Sequence, residues 1–394
     1  MKVALIGNMN NNANNVAQYL LDRGVDAEVL FFANEAAHFT PEADNVMPAR
    51  YRSKTLSWGG YADYFFTPAA RIRDDLAPYG MLIGSRLAPA YCAKAGRLLD
   101  IFMPTGGDLH TLPVWNGWKP RDLIKYLGFA RIQREAIRKV GALYWDVTND
   151  EVDATIAPYT SHLPRLVHGI PALYHPEYQG AALETRRARS QWLGRFRDAR
   201  AGADIFLLSH VKHVWTPEAI ARYGRFHEKG NDQIVRALAA YYATNPTKSV
   251  RLALFEYGTD HDATRALARD LGVDRHIAWF PQLPRREIMV AIAEADGVIG
   301  EIARSWYSYG TIYEAMVMGK AVLHHCDPAL YPGRARYPMI NVASASDLLA
   351  AFQGIARGDV DLAEIGAAGH RWLTQTSVAG ALDSLMAAIR AKSA

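Results

Sequence analysis

The amino-acid sequence predicts an α/β protein with two domains, each built around a parallel sheet. Three observations lead to this prediction: a length of 394 residues of which half are hydrophobic, a strand–helix–strand pattern at the amino terminus, and a strand–loop–helix–strand run over residues 295–325. A chain of this size and composition can bury two hydrophobic cores. Because strand–helix–strand units give parallel strands, helices are expected on both faces of each sheet.

The amino-terminal pattern defines the first domain. Residues 2–6 form an apolar run typical of a buried strand, residues 7–12 form a polar loop, and a helical pattern then continues to Arg23. A second strand is expected over residues 26–32. Three further strands are expected in the same Rossmann-like domain, at residues 80–84, 99–103 and 141–146.

A proline-rich stretch over residues 164–176 breaks the periodic pattern and predicts a domain boundary. We expect a first domain over residues 1–170 and a second over residues 171–375, followed by a carboxyl-terminal helix over residues 376–394. The second domain is also expected to be α/β, with early strands at residues 204–209, 252–255 and 277–280.

The composition limits the classes of function. A formal net charge of +4 is too small to indicate nucleic-acid binding, although it suits an acidic substrate such as a nucleotide diphosphate. The two cysteines, Cys92 and Cys326, form no CxxC pair and no cluster with histidines at metal-ligand spacing, so no metal and no cofactor are expected. No signal-peptide pattern and no apolar window of about 18 residues is found, which predicts a cytoplasmic location.

The run over residues 295–325 has the layout of an anion-binding site. Gly310 lets the backbone approach a ligand, and the amides of Thr311 and Ile312 open a helix toward it. Glu314 lies one turn inside that helix. A sugar nucleotide fits this arrangement, with its diphosphate at the amides and its ribose hydroxyls at the carboxylate.

The same residues have a second interpretation. The spacing Thr311-x-x-Glu314 is that of a capping box, in which the two side chains satisfy free helix donors. On spacing alone this interpretation is favoured, because a Ser or Thr followed three residues later by Glu recurs often by accident.

The segment over residues 313–322, YEAMVMGKAV, closely resembles the EAMAxGxPV signature of retaining, family-four glycosyltransferases. The resemblance implies the GT-B fold, in which two Rossmann-like domains face a central cleft. It also implies transfer of a sugar from a nucleotide-diphosphate donor to a glycan or lipid-linked acceptor. Glu314 matches the second glutamate of the family's Glu-x7-Glu pair, which contacts the donor ribose. The first glutamate is replaced by Trp306, and the nearest upstream carboxylate is Glu301.

The resemblance extends to the segment RFHEKGND, which precedes a predicted helix. In the family an arginine and the lysine of a Lys-Gly pair neutralise the donor diphosphate, and Arg225 with Lys229 and Gly230 is the best match. A solvated charged loop is the alternative. Arg225 and Lys229 are therefore candidate catalytic residues, and Asp108, from the Gly-Gly-Asp loop of the first domain, is a third. The candidate donor-binding residues are Gly230, Glu301, Tyr309, Gly310, Thr311 and Glu314.

Two polar loops of the first domain are candidates for the acceptor side. Asparagines tolerate left-handed backbone and offer amide donors and acceptors, so a sugar could bind at the loop after the first strand. A turn that only caps the first helix is equally expected. The Gly-Gly-Asp loop after the strand at 99–103 could bind hydroxyls or be a tight turn. The acceptor-side candidates are Asn8, Asn10, Asn11, Gly107 and His110.

Residues 117–140 form a basic amphipathic pattern. Such a helix could contact an anionic membrane surface, which would suit a lipid-linked acceptor and a position at the inner face of the membrane. A charged outer face covering the first domain is the stronger interpretation.

Other functions remain as alternatives. Loss of the first glutamate is compatible with a catalytically silent protein that binds sugar nucleotides or acts as a scaffold, and a nucleotide-sugar epimerase would share the fold. Dehydrogenase, serine-hydrolase and P-loop chemistry gain no support, because the sequence lacks GxGxxG, GxSxG and GKS/T motifs at the required places.

Overall fold

Both sheets of the protein are parallel, as a computed structural model shows. The structure describes residues 1–33, 35–36, 39–114, 128–145, 150–166 and 169–393. It divides into two compact units. One unit comprises Met1–Tyr174 together with Gln375–Ala394, and the other comprises His175–Thr374. The predicted α/β class is confirmed.

The first unit contains a seven-stranded sheet. Its strands are β1 (Val3–Ile6), β2 (Ala27–Phe31), β3 (Arg52–Thr55), β4 (Met81–Gly84), β5 (Ile101–Phe102), β6 (Ala142–Tyr144) and β7 (Arg165–Leu166). The strand order is β3-β2-β1-β4-β5-β6-β7, so the direction of winding reverses between β1 and β4. At such a reversal the loops after neighbouring strands diverge and leave room for a ligand at the carboxyl ends.

The helices of the first unit are α1 (Asn12–Asp22), α2 (Pro41–Asp44), α3 (Tyr61–Phe66), α4 (Ala69–Leu76), α5 (Ala88–Lys94), α6 (Gly107–His110), α7 (Phe129–Ile137), α8 (Asp150–Thr160) and α18 (Ala379–Ser393). The carboxyl-terminal helix α18 belongs to this unit because its apolar face joins the same core as β1 and α1. Ala381 and Leu385 of α18 are fully buried there beside Val3 and Leu5. Burial of a leucine side chain such as that of Leu385 stabilises a fold by about 1.5–3 kcal/mol.

The second unit contains a six-stranded sheet. Its strands are β8 (Ile205–Ser209), β9 (Val250–Glu256), β10 (Ile277–Pro281), β11 (Gly297–Ile299), β12 (Ala321–His324) and β13 (Ile340–Asn341). The order β10-β9-β8-β11-β12-β13 places the reversal between β8 and β11. The helices are α9 (Gly180–Arg189), α10 (Leu193–Arg200), α11 (Pro217–Tyr223), α12 (Asn231–Ala243), α13 (His261–Asp270), α14 (Arg285–Glu294), α15 (Gly310–Val317), α16 (Ala345–Arg357) and α17 (Leu362–Trp372).

The strands that the sequence did not predict are short or polar. Strand β3 reads RSKT and is exposed along its whole length at the edge of the sheet, so it lacks the apolar signal of a buried strand. Strands β7 and β13 have two residues each, too few to show a period. Pairing with a neighbouring strand, and not local sequence, places these segments in the sheets.

The basic pattern over residues 117–140 lies partly outside the described residues, which resume at Gly128. The described part forms α7, which buries Phe129, Gln133 and Ile137 and exposes Arg131. This amphipathic division fits a helix that covers the first sheet. Among the helices that the structure describes, none combines the length and the apolar character that crossing a membrane requires.

Candidate functional site

The carboxyl ends of β8 and β11 form the candidate site of the second unit. Strand β8 ends at Ser209 and is followed by His210, while β11 ends at Ile299 and is followed by Gly300 and Glu301. These two strands are hydrogen-bonded neighbours that flank the reversal of the sheet. In doubly wound folds this position is where ligands bind.

Glu314 is a buried carboxylate held by two cationic or potentially cationic side chains. Its Oε1 accepts a hydrogen bond from Arg285 Nε at 2.8 Å, and its Oε2 lies 2.6 Å from His210 Nε2. Burial raises the pKa of Glu314, but His210 and Arg285 outweigh burial and lower it to about 2. Glu314 is therefore an ionised acceptor at neutral pH, and each oxygen keeps a lone pair for a further donor.

This geometry overturns the capping-box interpretation. Helix α15 begins at Gly310 with Tyr309 as its N-cap residue, and no side chain caps it. Thr311 lies inside the first turn, where its Oγ1 is 3.4 Å from His210 Nε2. The amino-terminal amides of α15 are thus not used by Thr311 or Glu314, because tertiary contacts hold both side chains elsewhere.

Lys229 and Glu301 form a second ion pair at the same edge of the sheet. Lys229 Nζ lies 2.7 Å from Glu301 Oε2, and it also lies 5.6 Å from the centre of the Trp306 ring. Burial raises the pKa of Glu301, while Lys229 and Trp306 oppose that shift. The Trp306 ring and the Glu301 carboxylate thus both stabilise the charge of Lys229.

Hydrogen bonds to backbone groups hold Lys229 and Glu301 in place. Tyr309 Oη accepts a hydrogen bond of 2.6 Å from the amide of Glu301, so Tyr309 positions Glu301. The amide of Ile302 donates to the carbonyl of Lys229 at 3.2 Å. Gly230 has φ of 75°, and a Cβ there would lie 2.9 Å from the amide nitrogen of Ala303. Gly230 is therefore required by the close approach of the two loops.

Three buried polar atoms at this edge have no hydrogen-bond partner among the described residues. They are Ser209 Oγ, His210 Nδ1 and His325 Nδ1. His325 is adjacent because its amide donates to the carbonyl of Glu301 at 2.9 Å. Since buried polar groups are nearly always satisfied, atoms of a ligand or of water are expected to complete them.

The structure does not bring Arg225 into this cluster. Arg225 begins a short 3₁₀ helix, Arg225–His227, and its side chain is exposed. Among the described residues, none forms an ion pair or hydrogen bond with its guanidinium. The predicted residues that converge are therefore Lys229, Gly230, Glu301, Tyr309, Gly310, Thr311 and Glu314.

The asparagines after β1 mainly shape the backbone. Asn10 and Asn11 have φ of 55° and 59°, the left-handed region that asparagine tolerates. Asn8 Oδ1 accepts from the amide of Asn14 at 2.8 Å, and its Nδ2 donates to Asn11 Oδ1 at 2.8 Å. Asn8 thus binds an amide in the first turn of α1, while Asn10 is exposed to solvent.

Asp108 organises the Gly-Gly-Asp loop. Its Oδ1 accepts from the amide of Thr105 at 2.9 Å and its Oδ2 from the amide of Arg86 at 2.8 Å. Burial raises the pKa of Asp108 to about 6, and these backbone hydrogen bonds oppose the shift. Gly107 begins α6, and His110 ends it with its Nδ1 3.2 Å from Thr111 Oγ1.

Four residues of these two strand edges were not predicted from the sequence. In the second unit they are His210 and Arg285, which hold Glu314. In the first unit they are Glu35 and Arg86, which bind each other. His210 carried one usable signal, because it directly follows the first strand of its domain. Arg285 begins α14, and only folding brings it to Glu314. Among the described residues, no group of three or more histidine, cysteine or acidic side chains could hold a metal ion.

Solved structures with the same architecture include nucleotide complexes. Anabaena Alr3699/HepE in complex with UDP and glucose is 14% identical and covers 99% of this chain and 100% of its own, with a TM-score of 0.62. Sucrose-phosphate synthase from Thermosynechococcus elongatus is 13% identical over 99% and 98%, with a TM-score of 0.60. A glycosyltransferase from Rickettsia africae is 10% identical over 98% and 97%, with a TM-score of 0.58.

No protein-family model matches the chain, and no curated protein matches it in sequence. The similarity therefore lies in the fold. Two parallel α/β units of seven and six strands, matched over nearly the whole length of these structures, define the GT-B class. The fold class that the sequence predicted is confirmed.

Proposed function

We propose that this protein is a retaining glycosyltransferase of the family-four type, with a hexose as the sugar that it transfers. Its second unit would bind a nucleotide-diphosphate sugar and its first unit a glycan or lipid-linked acceptor. The observation that carries the proposal is the convergence of Lys229, Glu314 and the amino-terminal amides of α15 at the reversal of the second sheet. The UDP and UDP-glucose complexes of Anabaena HepE support a uridine nucleotide as the first ligand to test.

Each group has a place in the proposed reaction. The ionised carboxylate of Glu314 accepts hydrogen bonds from the ribose hydroxyls, and the amides of α15 face the diphosphate. Lys229 offsets negative charge as the bond between the sugar and the diphosphate breaks. Because the leaving group is stabilised in this way, the enzyme needs no strong nucleophile, and the departing phosphate helps to deprotonate the acceptor. Removal of one such preorganised cation is expected to cost on the order of 10²-fold in rate.

Isothermal titration calorimetry with UDP and UDP-glucose tests the binding step. We expect the wild-type chain to bind both, the Lys229→Ala and Glu314→Ala variants to lose at least tenfold in affinity, and the exposed-lysine variant Lys248→Ala to bind as the wild type does. Unchanged affinity in both site variants, with their folded state verified by circular dichroism, would contradict the proposal.

A catalytically silent nucleotide-sugar-binding protein is the second candidate, and Trp306 favours it. Trp306 occupies the place of the first glutamate of the resembled pair, and its ring lies beside Lys229 instead of offering a carboxylate. Release of UDP from UDP-glucose, followed over hours with and without saccharides, separates the two candidates. Any release above that of the Lys229→Ala variant supports an enzyme. Appearance of a second nucleotide sugar, without release, would instead indicate an epimerase.

A further inference from the structure

Arg86 occupies a strained position at the reversal of the first sheet. Strand β4 ends at Gly84, and Arg86 follows two residues later with φ of 55°. Residues other than glycine, asparagine and aspartate rarely adopt left-handed backbone conformations. Those that do are often found at functional sites. The surrounding contacts must therefore hold Arg86 in this conformation.

Three side chains from separate parts of the chain hold the three polar groups of Arg86. Its amide donates to Asp108 Oδ2 at 2.8 Å, and its carbonyl accepts from Gln133 Nε2 at 2.8 Å. Its Nη1 donates to Glu35 Oε2 at 2.8 Å. Hydrogen bonds from the loop after β2, from α6 and from α7 thus hold both the backbone and the side chain of Arg86 in place.

Hydrogen bonds also hold the carboxylate of Glu35 in place. Its side chain is 5% exposed, and its Oε1 accepts from the amide of Asn8 at 2.8 Å, directly beyond β1. The guanidinium of Arg86 is 22% exposed, and no described residue accepts from its Nε or Nη2. The pair therefore presents N–H donors that no described residue occupies, beside a carboxylate at the carboxyl ends of β1 and β4.

The charges around this pair favour a neutral ligand. Glu35 offsets the charge of Arg86 at short range, and Asp108 adds a second carboxyl group beside the Arg86 amide. An incoming phosphate or carboxylate at the other donors of Arg86 would lie beside the buried carboxylate of Glu35, and the repulsion between like charges is unfavourable. Neighbouring hydroxyls of a sugar can instead donate to Glu35 while they accept from Arg86. Ser85 Oγ and Gln133 Oε1 beside the pair are buried and lack described partners as well.

We propose that Arg86 and Glu35 bind the hydroxyl groups of a neutral saccharide, which is the acceptor of this protein. This rests on the proposed function, because it names the class of acceptor for the transferase. It assigns both residues to acceptor recognition, and it assigns no part of donor binding to them.

The test measures saccharide binding without nucleotide, by saturation-transfer NMR with glucose, maltose and cellobiose, and with glucose 6-phosphate and glucuronate as anionic counterparts. The variant Arg86→Gly suits the left-handed backbone and keeps the amide and carbonyl contacts to Asp108 and Gln133, so it should fold. Glu35→Gln and Arg86→Lys complete the series. Arg52→Gln, at the exposed edge strand β3, is the matched control.

We expect at least one neutral sugar to bind, with at least a tenfold loss in Arg86→Gly and Glu35→Gln, and no loss in Arg52→Gln. UDP affinity should be the same in all of these proteins. Binding of only the anionic sugars, or no Arg86-dependent binding of any neutral sugar, would overturn the inference. If the wild type does not bind UDP, the proposed function is contradicted. The NMR measurement would still show whether Arg86 and Glu35 bind a neutral saccharide.

Discussion

Lys229 Nζ lies 2.7 Å from Glu301 Oε2, so this ammonium already has a carboxylate as its partner. If Lys229 binds the donor phosphate as proposed, that phosphate competes with Glu301 for the ammonium. The two residues come from loops that a close backbone contact at Gly230 joins. Under the proposed function, donor binding would exchange one anionic partner of Lys229 for another.

Replacement of Glu301 tests this exchange. In Glu301→Gln the ammonium of Lys229 has no competing charge, so UDP should bind up to about tenfold more tightly, equivalent to about 1.4 kcal/mol. Calorimetry at pH 7 gives the affinity. In the double variant Glu301→Gln/Lys229→Ala the gain should vanish, because it acts through Lys229. A gain that persists in the double variant would contradict the mechanism.

The pH dependence of stability tests the charge of Glu314. Its pKa falls from an ordinary value of 4.5 to about 2 in the folded protein. A lowered pKa contributes stability that is present above pH 4.5 and is lost as the pH falls toward 2. The contribution at pH 7 is of the order of 3 kcal/mol.

Urea unfolding of the wild type and of Glu314→Gln, at pH 7, 4 and 3, measures this contribution. The difference in the free energy of unfolding should be largest at pH 7 and should shrink with falling pH. A difference that does not change with pH would show that Glu314 is not ionised against His210 and Arg285.

Gly300 and Tyr309 provide a test of how Glu301 is positioned. A Cβ at residue 300 would lie 2.1 Å from Tyr309 Oη and 3.0 Å from His324 Cβ. Gly300→Ala should therefore destabilise the protein by about 1–3 kcal/mol. Tyr309→Phe should cost about 1 kcal/mol, because the Glu301 amide loses its acceptor.

The double variant Gly300→Ala/Tyr309→Phe should be more stable than the sum of the single changes predicts, because the removed oxygen relieves the contact. A double-mutant cycle from thermal unfolding gives the coupling. Strict additivity would mean that the two residues do not touch.

Removal of divalent metal tests the proposed way of neutralising the diphosphate. If Lys229 and the amides of α15 supply the positive potential, donor turnover should change less than twofold when EDTA is added. The rate of UDP release, with and without added Mg²⁺ after dialysis, is the measurement. A loss that Mg²⁺ restores would show that a metal ion carries this role.

The sequence alone determined the elements that carry a local signal. Apolar runs predicted β1, β4 and β8, and the glycine before YEAMV predicted the start of α15. The asparagines after β1 were expected only to tolerate the left-handed backbone that Asn10 and Asn11 adopt. The resemblance of RFHEKGND and YEAMVMGKAV to glycosyltransferase motifs singled out Lys229, Glu301 and Glu314.

Only the tertiary structure decided what these residues contact. Thr311 and Glu314 have the spacing of a capping box, but His210, from 104 residues earlier in the chain, and Arg285 hold Glu314 instead. Glu35 meets Arg86 across 51 residues for the same reason. Strand order brings the ends of distant segments to one edge of a sheet, and no local period encodes that order.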